Sequence, residues 1–323
     1  MDLRLALSEI AAEHRLDARG AARLEALAGL HSEPPLLAAW LPRGVAVLAA
    51  ALGGLGIVFW IAANWQVLGR YGRFALLEVF VLAMCGGALW RPAARAPLGL
   101  LALLAIGGLF AYFGQTYQTG ADPWQLFAVW AVLALPLCIA ARSDVLWAPW
   151  ALVVMTGISL WVHAHIGHRW RVQPDDLLVH LFGWLGALVL VAALSAPLRR
   201  YTGAGIWSLR VAIALAVAMI ATTGFAGLFE ERAGLFYGLG LAVLVGAAVM
   251  LARRESFDVF GLSAVALGLD ALLIGGMAYL LFHNAHGEGL ASLLFIGLAA
   301  AGLVAASVSL VLRLARRHEG AWP

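Results

Sequence analysis

Ten apolar runs, each about the length of a bilayer-spanning helix, leave this 323-residue chain almost no room for anything else. They fall at about 44–63, 73–90, 97–115, 123–141, 145–163, 176–197, 207–228, 233–252, 259–282 and 288–312. A hydrocarbon core of about 30 Å takes roughly 20 apolar residues of helix to cross. Backbone groups in that medium must be satisfied within the segment, so runs of this length are helices. Composition agrees: 63% of residues are hydrophobic, 12% are charged and the mean hydropathy is +0.91, far from the usual soluble chain. The fold class expected is all-α, a polytopic helical bundle of about ten transmembrane helices.

The basic residues orient the bundle. All 21 are arginine. With the N-terminus inside, sixteen of them, among them Arg43, Arg91, Arg142, Arg199, Arg200 and Arg210, fall in the inner segments; Arg70, Arg73, Arg169, Arg171 and Arg232 fall in the outer ones. Cytoplasmic loops carry such an excess. Both termini are therefore expected in the cytoplasm, and the opening segment lacks the pattern of a secretory leader. The pI near 9.2 reflects arginines spread over many loops, not a basic face for nucleic acid. Trp65, Trp90, Trp124, Trp161, Trp170 and Trp207 sit at the expected span ends, where an aromatic belt belongs.

The division expected is a cytoplasmic N-terminal segment, residues 1–42, and a transmembrane domain, residues 43–323. Leu3, Leu7 and Ile10, then Leu24, Leu27 and Leu30, recur at helical spacing, so residues 1–33 read as two short amphipathic helices that rest on the membrane surface or meet a protein partner. Pro34-Pro35 and Pro42 are expected to break the helix before the first span. Ten spans divide into five and five, and an odd number per half would make the halves inverted, as in many secondary transporters; only a loose apolar pattern links residues 122–141 to residues 257–276.

No loop is long enough for a catalytic domain, and phosphate-binding glycine loops, nucleophile elbows and paired zinc-ligand cysteines are absent from the sequence. Cys85 and Cys138 lie inside apolar runs and read as buried hydrophobes. No catalytic residue and no cofactor is assigned. Chemistry must sit in the membrane or at its rim. Asp270 stands near the middle of the ninth span among Leu267, Leu269, Leu272 and Leu273. A carboxyl there must face the bundle interior, pair, or stay protonated, and with Glu78 of the second span it is a candidate for proton or cation coupling. At the outer ends of the first four spans, Asn64, Trp65, Arg73, Gln115, Tyr117 and Asp122 lie at one level. They form a candidate polar vestibule with Glu78 at its floor; the plainer account is interfacial capping and snorkelling.

The same residues carry a resemblance. Phe59-Trp60-Ile61-Ala62-Ala63-Asn64-Trp65, Arg73-Phe74-Ala75, Gly114-Gln115-Thr116-Tyr117 and Asp122-Pro123 with Leu126-Phe127 and Trp130-Ala131 are similar to a bacterial family of predicted membrane proteins, domain of unknown function 2157. The similarity covers roughly residues 8–150. It implies a bacterial inner-membrane protein and puts weight on Asn64, Gln115, Tyr117 and Asp122, and it brings no activity with it.

Six of the nine histidines fall on the outer side. His163, His165 and His168 follow the fifth span, His180 opens the sixth, and His283 and His286 follow the ninth beside Glu288. Imidazoles from two loops can hold a divalent transition metal at that face, although a mostly neutral polar residue also suits loops that avoid arginine. Three functions follow: a secondary transporter or permease for a small solute or ion; a non-catalytic sensor, assembly factor or partner subunit that uses residues 1–33; and a metal-dependent membrane enzyme facing the periplasm.

Overall fold

The computed structural model describes residues 3–28, 35–64, 67, 69–117, 120, 122–168, 172–230, 234–253, 256–284 and 289–319. The chain forms two compact units, residues 1–53 and 54–323. In the first lie α1 (Leu3–Glu13), α2 (Ala18–Leu27) and the beginning of α3 (Pro35–Ala63); α1 packs on α2. Between them Asp17 Oδ1 accepts the Gly20 N–H at 2.7 Å, the side-chain cap that lets a helix restart after a turn.

Of the helix breaks expected at the prolines, the first is present, since α2 ends at Leu27 and α3 opens at Pro35, and the one at Pro42 is not; Pro34 lies outside the described residues. Pro35 opens α3 at a position where a missing N–H costs nothing, and α3 runs on through Pro42. Pro42 forfeits one backbone hydrogen bond only two turns from the helix start, and the helix continues.

From Gly54 on, the rest of α3 is followed by α4 (Arg70–Trp90), α5 (Arg95–Tyr117), α6 (Pro123–Ala141), α7 (Asp144–His165), α8 (Leu177–Leu194), the single turn α9 (Arg199–Thr202), α10 (Ile206–Ala226), α11 (Gly234–Leu251), α12 (Val259–Asn284) and α13 (Gly289–Glu319). Ten of these helices, all but α1, α2 and α9, are long and apolar enough to cross a membrane. The protein is a polytopic helical bundle.

Two apolar clusters make the core. One joins Leu103, Ala134, Cys138, Leu146, Trp147, Ala151, Met155, Ala187, Leu190, Ala212 and Ala216 of α5, α6, α7, α8 and α10. The other joins Trp184, Ile213, Val217, Ile220, Leu244, Val265 and Leu272 of α8, α10, α11 and α12. α10 enters both and packs on α7, α8, α11 and α12. Small residues set these approaches, since lipid offers no hydrophobic drive between helices and close van der Waals contact replaces it. At the α10–α12 crossing a Cβ on Gly268 would lie 2.6 Å from Val217 Cγ1, so a larger residue there would force a shift. The skip-one contact falls between the third and fifth spans in the first half (α5 on α7) and between the second and fourth in the other (α10 on α12).

The start of α10 is held from far along the chain. Asp144, at the start of α7, accepts the N–H groups of Gly205 at 2.7 Å, Trp207 at 3.0 Å and Ser208 at 3.3 Å. Trp147 Nε1 donates to the Thr202 carbonyl at 3.1 Å and an Arg142 guanidinium nitrogen donates to the Arg200 carbonyl. Asp258 does the same for α12: Oδ2 accepts the Gly261 N–H at 2.8 Å, while Arg210 Nη2 donates to Oδ1 at 2.8 Å. A side-chain cap is worth about 1 kcal/mol, and charge-assisted bonds about 1.5–3 kcal/mol.

Replacing Asp144 by alanine should therefore cost about 2 kcal/mol or more and lower the melting temperature of the purified protein by several degrees. Gly205→Ala should act in the same direction, because its Cβ would fall on the Asp144 carboxylate. The exposed Asp175 serves as control: Asp175→Ala should leave the melting temperature unchanged in the same thermal-shift measurement.

Candidate functional site

α4 begins, and α5 ends, at the same end of the bundle, and between them lies an open cleft of about 340 Å³ lined by Arg70, Arg73, Tyr112, Gln115 and Thr116. Helical spacing builds it. Arg70 and Arg73 are three residues apart on α4, and Tyr112, Gln115 and Thr116 are three and four apart on α5, so each set shares one face. The helices are clamped behind the cleft by Leu77 and Tyr112, with Ile57, Phe74, Leu76 and Leu109 packed against them. Phe74 meets Tyr112 at 4.6 Å between ring centroids and Tyr117 at 5.9 Å, and Phe113 meets Tyr117 at 4.8 Å.

Those rings seat the arginines. The Arg70 guanidinium lies 5.2 Å from the Tyr71 ring centre and 5.4 Å from that of Tyr117, and Arg73 lies 5.9 Å from that of Tyr112. Arg70 also donates to the Tyr71 hydroxyl at 3.3 Å, and the Tyr112 hydroxyl donates to the Arg70 carbonyl at 3.3 Å. Cation–π contact of this kind holds a guanidinium without neutralising it.

The vestibule expected from the sequence is thus smaller than its residue set. Arg73 and Gln115 line the cleft, and Tyr117 flanks it through Arg70. Glu78 is exposed and outside the lining. At about 100° per residue it lies about 140° around α4 from Arg73, while Leu77 takes the inward position. Asn64 turns its amide back onto its own helix, where Nδ2 donates to the Trp60 carbonyl at 2.9 Å. Asp122 stands at the N-cap of α6 ahead of Pro123 without a side-chain cap bond; its Oδ1 lies 3.9 Å from His168 Nε2. Trp65 lies outside the described residues.

The histidines spread out as well. His165 Nδ1 is 2.8 Å from the Trp161 carbonyl, and its ring packs 4.3 Å from the Trp161 ring. His163 and His168 meet edge to face with ring centroids 5.2 Å apart. Among the described residues no three His, Cys, Asp or Glu side chains converge in a way that would hold a metal ion. The side chain of His283 lies outside the described residues, as do His286 and Glu288.

Asp270 lies in the interior. It is 5% exposed, and Ser307 Oγ of α13 donates to its Oδ2 at 2.7 Å; the same hydroxyl lies 3.0 Å from the Val304 carbonyl. A second buried polar stripe, Asp176, His180 and Trp184, recurs every four residues from the 3₁₀ turn Pro174–Asp176 into α8. Phe236 of α11 packs against His180 edge to face at 5.4 Å.

From the sequence, Arg70 falls only in an outer segment, Thr116 enters only through the resemblance, His180 enters only as one of the outer histidines, and Tyr112 and Trp184 carry no assignment. The signals were there: arginines at i and i+3, polar residues at i, i+3 and i+4, and an i, i+4, i+8 row inside an apolar run. No curated protein and no solved structure matches the chain. Residues 9–147, which contain every residue of the cleft, match the model of the family described as predicted membrane protein (DUF2157).

Proposed function

We propose that the chain is a secondary-transporter-like or permease-like protein of a bacterial inner membrane, with both termini in the cytoplasm and the cleft facing outward. The observation that carries this reading is Asp270, a carboxyl buried in the middle of an apolar span whose partner among the described residues is the Ser307 hydroxyl and not a cation. Ionised carboxyls at such depth are costly and mark proton or ion paths. A hydroxyl can serve either state: it donates to a carboxylate and accepts from a carboxylic acid. Asp270 can therefore take up and release a proton, or meet a small cation, without losing α13. The arginine distribution supports the orientation.

One further feature favours a second role. Leu27 of α2 is 81% exposed, and Ile10 and Leu16 are exposed as well, which suits α1 and α2 to a protein or membrane-surface contact. Such a contact is compatible with transport.

The orientation is tested by single cysteines in a chain carrying Cys85→Ala and Cys138→Ala. Thr119→Cys should react with an impermeant maleimide in intact cells, whereas Tyr201→Cys, at an exposed position, should react only after lysis. The reverse pattern would place the termini outside.

The coupling role is tested by Asp270→Asn, which is nearly isosteric and keeps a partner for Ser307. The variant should keep its melting temperature within a few degrees and lose pH-gradient-dependent uptake of radiolabelled solutes, assayed in proteoliposomes with inorganic phosphate, acetate, glutamate and a cationic amine. Unchanged gradient-dependent uptake by the variant, or a large fall in melting temperature without loss of uptake, would make Asp270 a structural residue.

A further inference from the structure

The cleft between α4 and α5 has a chemical bias that points to its ligand. Among the described residues that line it, two are arginines, the others are a phenol, an amide and a hydroxyl, and none is an acid. The two helix termini that meet there oppose one another: the start of α4 presents about half a positive charge and the end of α5 about half a negative one. They offset, and two guanidinium groups line the cleft beside them. Two like charges on neighbouring turns repel. An anion between them turns that repulsion into attraction.

Geometry narrows the anion further. Arg70 and Arg73 are both seated against tyrosine rings, and the backbone of Arg70 is tied to the Tyr112 hydroxyl. An arginine whose face is covered by a ring presents its N–H edge, and that planar fork matches two oxygens of a carboxylate or phosphate. Gln115 and Thr116 add an amide donor and a hydroxyl one helical step apart. The volume, about 340 Å³, is at the small end for ligand sites. It suits a compact headgroup or a small solute and would not enclose a nucleotide.

We propose that this cleft is an oxyanion site: it binds a phosphate or carboxylate group, with Arg70 and Arg73 as the charged pair and Gln115 and Thr116 as neutral contacts. The proposal rests on the transporter reading for its purpose, a small anionic solute captured at the outer face, while the binding itself does not depend on transport. A phosphate can reach the cleft as a free solute or as the headgroup of an anionic lipid, because the cleft opens at the membrane rim.

The test uses the full-length chain. Delipidated protein in a neutral detergent is titrated with inorganic phosphate, and separately with acetate, at constant ionic strength in chloride, and binding is read calorimetrically. In a second arm the protein is extracted from bilayers of phosphatidylglycerol and phosphatidylcholine, and retained lipid is counted by native mass spectrometry. Saturable binding of phosphate or acetate, weakened at least tenfold by Arg70→Gln and by Arg73→Gln and unchanged in Glu78→Gln, identifies a solute site. Retained phosphatidylglycerol that is lost in Arg70→Gln, without binding of the free ions, identifies the lipid headgroup as the source of the same oxyanion.

If neither arm shows binding, or if binding is the same in Arg70→Gln and Arg73→Gln, the oxyanion site is overturned. Should Arg73→Gln fail to fold, Arg70→Gln decides alone, since Arg70 is exposed at the helix start. Asp270→Asn should leave binding intact, so a failed cleft and a failed coupling role give different results.

Discussion

Satisfying backbone polar groups at the ends of spans is the constraint on which this bundle depends. Inside a long apolar helix each N–H finds its own carbonyl, but the first turn has donors with no intrahelical acceptor. At a span end near hydrocarbon, water does not reliably supply the difference. The protein solves this for α10 with Asp144, which lies 61 residues upstream of Gly205 and takes three of its donors. Because α10 packs on α7, α8, α11 and α12, the cap fixes the height of the helix around which most of the second unit is arranged. Asp258 repeats the solution for α12 and is itself held by Arg210 of α10, so the two caps are linked through one helix.

Above those anchors the helices meet through small residues and indole donors. Trp130 Nε1 donates to the Leu103 carbonyl at 2.9 Å and Trp150 Nε1 to the Ala131 carbonyl at 2.8 Å. Each tryptophan fills space beside a neighbouring span and adds one directed contact, a service that lipid-facing aromatics cannot give. Polar specificity in this protein is thus concentrated on side chain to backbone bonds, with few ion pairs among the described residues.

Much of this was legible in the residues. Runs of about twenty apolar residues can do only one thing in a bilayer, so the ten spans could be read directly. Asp270 could be read as inward-facing because its exposure to lipid would be too costly. Helical phase was harder. Glu78 looked like a vestibule floor from its depth alone, but depth says nothing about angle, and Leu77 takes the inward place. Asn64 and Asp122 share a level with the cleft without sharing its face. Pro42 looked like a stop, yet a single lost hydrogen bond is small beside the continuity of a packed span. Asp144 was invisible for another reason: a capping carboxylate that acts on a turn 61 residues away leaves no periodic trace.

The bond between Ser307 and Asp270 has a meaning for how the last helix is placed. α13 shows most of its surface to the surroundings; Leu294 and Leu298 are 70% and 76% exposed. From Gly289 to Leu312 the helix carries no charged residue, and along such a stretch a slide of one turn, about 5.4 Å, changes van der Waals contacts little. One hydroxyl against one carboxyl singles out a single turn. It works as an index mark, setting how far the helix is inserted and which side it shows to its neighbour.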